Sequence, residues 1–297
     1  MLLCACAVLA APAAASAHSR ATTVALDYRL VLDRTTLPGV HVSILDGDRS
    51  LRVETSGPTV LVRGDLGEPM LRITRTGAWA NRGSTTAVAE RLVSAGSGWQ
   101  QVGHGSSYTW HEHRLSPPPF GNGTTGAVAR FEIPVAVSGR NTTIGGTFVR
   151  HARPALWPWI GLAAVFAAAV GAAVRTRWPV TIALGAGAGL AALGSLVAFS
   201  VADAPNGKVA WAQIALGAAL AVALYALLIR SPSSRRPAVA GVLGGAAAAV
   251  SLGSLGVFRH GVVVSALPPT ATRVLLEVAF LAGVAAAATS LRTEGRR

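Results

Sequence analysis

Residues 180–201 read VTIALGAGAGLAALGSLVAFSV, an apolar run without a charged side chain. At a rise of about 1.5 Å per residue, a helix of this length crosses the roughly 30 Å hydrocarbon core of a bilayer. Four similar runs lie in the second half of the chain, at about 156–174, 210–229, 238–257 and 274–291. Because polar or turn-forming segments separate them, the sequence predicts an all-α membrane bundle of five transmembrane helices over residues 154–297.

Lysine and arginine are divided unevenly between alternate loops of this bundle. Eight lie in the segments 175–179, 230–237 and 292–297, whereas the other loops hold three, namely Lys208, Arg259 and Arg273. Cytoplasmic loops carry the excess of positive charge, so the first set is expected inside. We therefore expect a multi-pass protein of the cell membrane, with its C-terminus inside, its N-terminal part outside, and the lipid bilayer as its first partner.

The N-terminal residues 1–17 form a short apolar run that ends in Ala15-Ser16-Ala17. This small-x-small ending is typical of a secretory signal peptide, which agrees with an exported N-terminal domain. Both cysteines, Cys4 and Cys6, lie in this run. Cleavage after Ala17 would leave a mature chain without a thiol and with His18 as its first residue.

Composition excludes two broad classes of protein. Only 13% of the residues are charged and 51% are hydrophobic, whereas a soluble domain carries about a quarter charged residues. A net charge of +13 can indicate nucleic-acid binding. However, residues 18–153 contribute 15 Arg against 10 Asp and Glu, a net +5 that is dispersed along the segment. We expect neither a soluble enzyme nor a nucleic-acid partner.

Residues 18–153 are expected to form an all-β extracytoplasmic domain. Apolar residues alternate with polar or small ones over 24–32 and again over 131–137, the period of a half-buried strand. Turn signals occur at Asp46-Gly47-Asp48 and Ser138-Gly139. Further short strands are expected at 40–44, 51–54, 59–62, 70–74 and 143–149, and a short helix is compatible with 85–93. Several short strands at regular spacing favour an immunoglobulin-like β-sandwich.

One segment, from Tyr108 to Arg114, contains a candidate metal site. If it is a strand, His111 and His113 point to the same face, about 7 Å apart. Trp110 then faces the core, and Glu112 is a poor ligand unless the strand bends. His111 and His113 are thus candidate metal ligands.

A third candidate ligand is His18. As the mature N-terminus it would offer its α-amine and Nδ1 to one metal, and a second histidine would complete a nitrogen-rich set that suits Cu(II). The sequence therefore predicts Cu(II) bound by His18, His111 and His113. The alternatives are that these histidines bind another metal, or that they are surface or hydrogen-bonded residues with no metal.

The layout resembles a known family. An exported β-domain that begins with a histidine after Ala15-Ser16-Ala17 and continues into helices is similar to the copper-resistance proteins of the CopC and fused CopC/CopD type. Tyr108-Thr109-Trp110 and residues 137–148 resemble the closing strands of that family. The resemblance implies a metal-binding role for His18, although the family's Asp-x-His ligand motif has no counterpart here. Residues 67–73 and 110–114 also resemble a group of exported bacterial membrane proteins, which implies this architecture but no activity.

Catalytic motifs do not occur in the chain. Neither Gly-x-Ser-x-Gly nor His-Glu-x-x-His is present, and the glycine-rich run 185–189 lies within a predicted helix rather than in a phosphate loop. We therefore expect no enzyme. The two remaining hypotheses are a membrane-anchored protein that binds Cu(II) in copper handling or resistance, and a non-enzymatic envelope interaction or assembly protein without a metal site. The second hypothesis implies another exported or membrane protein as partner.

The predicted bundle contains one acid away from its ends, Glu277. It lies about one turn from the outer end of the fifth helix. Its carboxylate is expected to reach the interface or to pair with Arg273 at i−4, with His260 in the neighbouring loop as another candidate partner. Charged groups at membrane depth mark either structural pairs or functional sites, and the sequence leaves both open.

Overall fold

The structure, a computed structural model, describes residues 24–33, 37–45, 47, 49–119, 124–175, 180–202, 209 and 211–294. The described residues form two compact units. One consists of β-sheets and runs from Asp27 to Ala152, and the other is helical and contains residues 24–26 and the chain after 152. The prediction of a β region followed by a helical region is confirmed at this level. The predicted signal peptide and His18 lie outside the described residues.

Ten of the strands belong to the β unit, where two antiparallel sheets form. The seven-stranded sheet has the order β2-β11-β10-β5-β6-β7-β8, and the three-stranded sheet has the order β3-β4-β9. In chain order the strands are β1 (Ala25–Leu26), β2 (Tyr28–Leu32), β3 (Val40–Leu45), β4 (Ser50–Thr55), β5 (Val60–Arg63), β6 (Pro69–Ile73), β7 (Gly77–Asn81), β8 (Trp99–His104), β9 (Ser107–His111), β10 (Gly126–Val137), β11 (Arg140–Arg150) and β12 (Val262–Val263).

One hydrophobic core is shared by the two sheets of the β unit. Val53 of β4 and Trp110 of β9, in the smaller sheet, are buried in the same cluster as Ile73, Ile133 and Phe148 of the larger sheet. In β10, alternate side chains from Phe131 to Val135 are buried and the residues between them are exposed. Period-2 burial is what the sequence pattern predicted for this strand.

The β10–β11 hairpin confirms the turn predicted at Ser138-Gly139. Both residues have positive φ, +48° and +82°. Two successive residues of positive φ give the type I′ geometry whose twist matches that of antiparallel strands. Glycine adopts this conformation without strain, which is why a Ser-Gly pair closes the hairpin.

The helix predicted near residues 85–93 forms as α1 (Thr85–Ala89) and is shorter than expected. Ser84 caps its N-terminus by accepting a hydrogen bond from the Ala87 amide at 3.1 Å. The Ser84 hydroxyl in turn donates to Glu68 at 2.7 Å, and the Thr86 amide donates to the same carboxylate at 3.3 Å. Burial raises the pKa of Glu68, but these hydrogen bonds outweigh it and lower the pKa to about 2. Glu68 is therefore a capping residue.

The expected strand over residues 24–32 is two elements rather than one. Residues 25 and 26 form β1, which pairs with β12 in the helical unit, whereas Tyr28–Leu32 pairs with β11 in the β unit. The chain divides at Asp27, whose carbonyl accepts a hydrogen bond from the His151 amide at 2.9 Å. Alternation alone did not reveal the break, because the apolar period continues through it.

Helices occupy all five predicted positions of the second half. They are α2 (Trp157–Arg175), α3 (Val180–Ala202), α4 (Trp211–Arg230), α5 (Arg236–Leu252) and α6 (Pro269–Glu294). Three segments are long and apolar enough to cross a membrane, Trp157–Val174, Val180–Ala202 and Pro269–Arg292. The apolar parts of α4 and α5 are shorter, Ile214–Arg230 and Arg236–Leu252. The run expected to continue to residue 257 leaves the α-helix at Gly253 and ends in a 3-10 turn, Leu255–Phe258.

Small residues bring α3, α5 and α6 into close contact. A Cβ at Gly244 of α5 would lie 2.7 Å from the Cβ of Ala286 in α6, and one at Gly189 of α3 would lie 2.9 Å from Leu243. In lipid, close backbone approach provides the van der Waals contact that holds helices together. No residue of the Trp157–Val174 span is buried, which is compatible with contact between α2 and a bilayer.

Candidate functional site

The segment that carries the candidate histidines leaves the sheet earlier than expected. Strand β9 ends at His111, which pairs with Ser50 of β4. Glu112 then caps a short 3-10 helix, His113–Leu115, by accepting a hydrogen bond from the Arg114 amide at 3.2 Å. The condition for placing both histidines on one face, a strand through residue 114, is therefore not met. The expectation that Trp110 packs in the core is confirmed, since it is 3% exposed.

Glu112 is a buried carboxylate that accepts from three side-chain N–H groups as well as from the Arg114 amide. Arg114 binds it in a bidentate pair, with Nε 2.7 Å from Oε1 and Nη2 2.8 Å from Oε2, and the Trp110 indole donates to Oε2 at 3.0 Å. Burial raises the pKa of Glu112, but the Arg114 charge and these hydrogen bonds lower it below its ordinary value. Glu112 is thus an anion held by a buried ion pair.

Arg114 also connects this pair to the β5–β6 loop. Its Nη1 donates to the Arg63 carbonyl at 3.0 Å, and its Nε lies 3.9 Å from the Asp65 carboxylate. Desolvation lowers the pKa of Arg114, but Glu112 and the neighbouring acids raise it above its usual value. The loop between β5 and β6 is thereby fixed against the chain that follows β9.

His113 lies between two further carboxylates. Its Nδ1 is hydrogen-bonded to Glu90 Oε1, which also accepts from the His113 amide at 3.0 Å. On the other side of the ring, Nε2 is 3.0 Å from Asp65 Oδ2. The imidazole is 45% exposed, whereas the Glu90 side chain at the end of α1 is 6% exposed. The Nδ1 side of the ring therefore faces the buried carboxylate of Glu90, and the Nε2 side faces the exposed carboxylate of Asp65.

In the described part of the chain, one group of three side chains is close enough to hold a metal ion. Its members are Glu90, Glu112 and His113, whose ligand atoms lie within 4.8 Å of one another. Of the predicted ligands, the group contains His113 and does not contain His111, which is half-buried at the end of β9. Glu112 was expected to be a poor ligand unless the strand bends, and the chain does turn away from the sheet at this residue.

Glu90 and Asp65 were not predicted as part of this site. They lie 23 and 48 positions before His113, and no local spacing in the sequence connects them to it. Asp65 lies in a turn, since the Gly64 amide donates to the Glu68 carbonyl at 2.8 Å across the β5–β6 loop. That turn is also what directs the Asp65 carboxylate toward His113.

A second acidic position lies in the helical unit. Arg273 donates to the carbonyls of Val257 and His260, at 3.0 and 3.1 Å. Glu277 is 7% exposed, and its Oε2 has no hydrogen-bond partner. Among the described residues no ion pair joins Glu277 to Arg273, so the i, i+4 pair considered for them does not form. Arg273 instead fastens the segment before β12 to α6.

Comparison with known proteins finds no matching family model, no matching curated protein and no matching solved structure.

Proposed function

We propose that the protein is a membrane-anchored, non-enzymatic metal-binding protein whose β unit lies outside the cytoplasm and binds Cu(II) at His113. The observation that supports this most is the setting of the imidazole. A histidine that binds a metal through one nitrogen nearly always donates its other N–H to a carboxylate or carbonyl. At His113, Asp65 is in that position at Nε2, while Nδ1 faces Glu90 and Glu112.

The donor set suits a divalent transition metal. Imidazole nitrogen with carboxylate oxygen binds several such ions, and Cu(II) binds most tightly at a site of given composition. A metal between Nδ1 and Glu90 would replace the shared proton of that hydrogen bond. Glu112 is already engaged by Arg114, so His113 and Glu90 are the proposed protein ligands of the described chain. Cleavage after Ala17 would leave His18 available for the remaining positions.

Titration of the full-length protein in detergent with Cu(II) tests the proposal. His113→Ala and Glu90→Gln are each expected to weaken binding by about tenfold or more, and Asp65→Asn by about tenfold through the orientation of the ring. His41→Ala is the matched control, because His41 is an exposed histidine on β3, and it should bind like the wild type. Copper affinity that is unchanged in His113→Ala would contradict the site.

The N-terminal histidine needs a separate measurement. If its amine is a ligand, one additional residue before His18 in the mature protein should weaken Cu(II) binding while His113→Ala still has an effect. Mass spectrometry of the mature N-terminus establishes first whether the chain begins at His18. A different start removes the amine from the proposal but leaves the site at His113.

The second candidate function, an envelope interaction or assembly protein without a metal, also has an observation in its favour. Both oxygens of Glu112 accept hydrogen bonds from Arg114 or Trp110, and His113 is paired on both sides. Such a network stabilises a fold without any ion. Failure of the wild type to bind Cu(II), together with a single dominant partner in cross-linking of intact cells, would favour this function.

The proposed topology combines five membrane spans with a β-sandwich that lies outside the cytoplasm. The shared core of the two sheets supports an immunoglobulin-like sandwich. At about 1.5 Å per residue the 17 residues of α5 extend roughly 26 Å, a mismatch that tilting of neighbours or thinning of the bilayer accommodates. The excess of arginine in loops 175–179 and 230–237 over the alternate loops supports a cytoplasmic position for both.

Reporter fusions test this topology. Alkaline phosphatase fused after His260 is expected to be active, since its loop is external, and the same enzyme fused after Arg236 is expected to be inactive. Fusions at Lys208 and Arg297 give the matched external and internal controls. Activity at both Arg236 and Arg297 would show that the shorter helix α4 does not cross the membrane. Activity at Arg297 with none at Arg236 or His260 would show the same of α5.

A further inference from the structure

A cluster of two tryptophans and one arginine lies at one end of the larger sheet. The guanidinium carbon of Arg72 is 5.3 Å from the ring centre of Trp79 and 4.9 Å from that of Trp99. Arg72 on β6 is directly opposite Trp79 on β7, and Trp99 begins β8, the last strand of the sheet. We call these three residues the Trp–Arg–Trp cluster.

The charge of Arg72 has no counter-ion in the described chain. No carboxylate forms an ion pair with it, and its Nε is buried without a hydrogen-bond acceptor. Its two terminal amino groups are not buried, and no described residue accepts a hydrogen bond from them. Cation–π contact holds a guanidinium in place but leaves its charge and its N–H donors available. The cluster therefore presents a fixed cation.

The aromatic parts of the cluster are also held in position. A Cβ at Gly77 would lie 3.0 Å from Cη2 of Trp79, so the absence of a side chain at Gly77 leaves room for the indole. Trp99 is 37% exposed, which leaves part of its ring open to solvent. A flat aromatic surface next to an oriented cation has little conformational entropy left to lose when it binds a ligand.

We propose that the Trp–Arg–Trp cluster binds a carboxylate-bearing saccharide. The terminal amino groups of Arg72 match the two oxygens of a carboxylate in a bidentate pair. The exposed part of Trp99 offers a ring face, negative at its centre, against which the C–H groups of a pyranose pack. Gln101 is exposed on β8 and opposite Trp79 in the register. Its Nε2 is hydrogen-bonded to the Gly103 carbonyl and to His104 Nδ1, so its carboxamide oxygen is the group that would accept from saccharide hydroxyls.

The adjacent guanidinium and indole favour a carboxylate-bearing saccharide over an acidic peptide or a neutral saccharide. An acidic peptide would satisfy the charge of Arg72 but has no rigid ring of C–H groups for Trp99. A neutral saccharide would pack on Trp99 but would leave the guanidinium without an acceptor. Because the two features are adjacent, we expect a ligand that carries both, and we expect each to contribute separately to affinity.

Calorimetric titration of the full-length protein in detergent tests this with three oligomers of equal length. Hexamannuronate carries both the ring and the acid, maltohexaose only the ring, and hexaglutamate only the acid. We expect hexamannuronate to bind about tenfold more tightly than either comparator, since a charge-assisted hydrogen bond and a stacked ring each add to its affinity. Equal binding of hexamannuronate and hexaglutamate, or no binding of hexamannuronate, would overturn the proposal.

Two variants assign the binding to the cluster. Arg72→Gln should weaken hexamannuronate binding by about tenfold, whereas Arg75→Gln, an equal loss of charge at an exposed turn next to β6, should leave it unchanged. Trp99→Ala should also weaken it, and Trp99→Phe should restore most of the affinity. Trp99 is partly exposed at an edge strand, so its replacement keeps the test valid if Arg72→Gln does not fold. Binding that is unchanged in both Arg72→Gln and Trp99→Ala contradicts the site.

Discussion

Glu112→Gln is expected to destabilise the β unit by about 3–5 kcal/mol, because it removes one partner of a buried ion pair. The Glu112 side chain is 1% exposed and that of Arg114 is 15% exposed. Both carboxylate oxygens accept from donors, so an amide in their place turns its own NH₂ toward Arg114 or Trp110. The guanidinium then loses its bidentate counter-ion and keeps only the more distant Asp65 carboxylate, 3.9 Å from its Nε. Thermal unfolding in detergent, together with hydrogen exchange of the β4 and β9 amides, measures the effect on this unit.

Two controls distinguish the buried pair from charge in general. Glu54→Gln removes the partner of Arg52 in a pair that is 3.5 Å long and 46% exposed on the glutamate side, and it should cost about 0.5 kcal/mol or less. The double variant Glu112→Gln, Arg114→Met removes both charges and should recover a large part of the lost stability. A single Glu112→Gln variant as stable as Glu54→Gln would contradict the structural role assigned to the pair.

The strands predicted at 40–44, 51–54, 59–62, 70–74, 131–137 and 143–149 all form, as β3, β4, β5, β6, β10 and β11. Within the β unit, β7 and β8 were not predicted. They read Gly-Ala-Trp-Ala-Asn and Trp-Gln-Gln-Val-Gly-His. Glycine, alanine and glutamine have little preference for strands, so these segments form because of their neighbours. Gly77 and Gly103 make room there for the Trp79 and Tyr108 rings.

The candidate site was predictable only in part, for a similar reason. His113 was identified from the segment 108–114, because histidines and an acid are adjacent in the sequence. Glu90 and Asp65 could not be, since α1 and the β5–β6 loop bring them to His113 from distant positions. The chain leaves the sheet after His111 at the Glu112 cap, a local interaction that no periodicity encodes.

The helical unit was the most predictable part, because hydropathy and length determine where helices form in a chain of this composition. Hydropathy did not predict which helices contact one another. Helices α3, α5 and α6 pack closely at their glycines, whereas the α2 span has no buried residue. The distribution of glycines with no space for a side chain identifies the interlocked faces.

Gly244→Leu is therefore expected to be a strongly disruptive change in the helical unit. A Cβ at this position lies 2.7 Å from Ala286 Cβ and 2.9 Å from the Gly283 carbonyl, so a leucine has to separate α5 from α6. Overpacking a tight interior costs about 1–3 kcal/mol even for small additions. Here the obstacle includes backbone, so we expect a loss of about 3 kcal/mol or more, measured as thermal unfolding of the full-length protein in detergent.

Gly187→Leu is the matched control, since a Cβ there meets nothing within 4 Å although the residue lies in α3 of the same unit. Leucine favours a helix over glycine by nearly 1 kcal/mol in host peptides, so this variant should be as stable as the wild type or slightly more so. Equal destabilisation by both leucines would mean that added bulk itself disturbs the protein in detergent. Loss of stability in Gly244→Leu alone would show that the contact between α5 and α6 holds the helical unit together, because lipid provides no hydrophobic force to replace it.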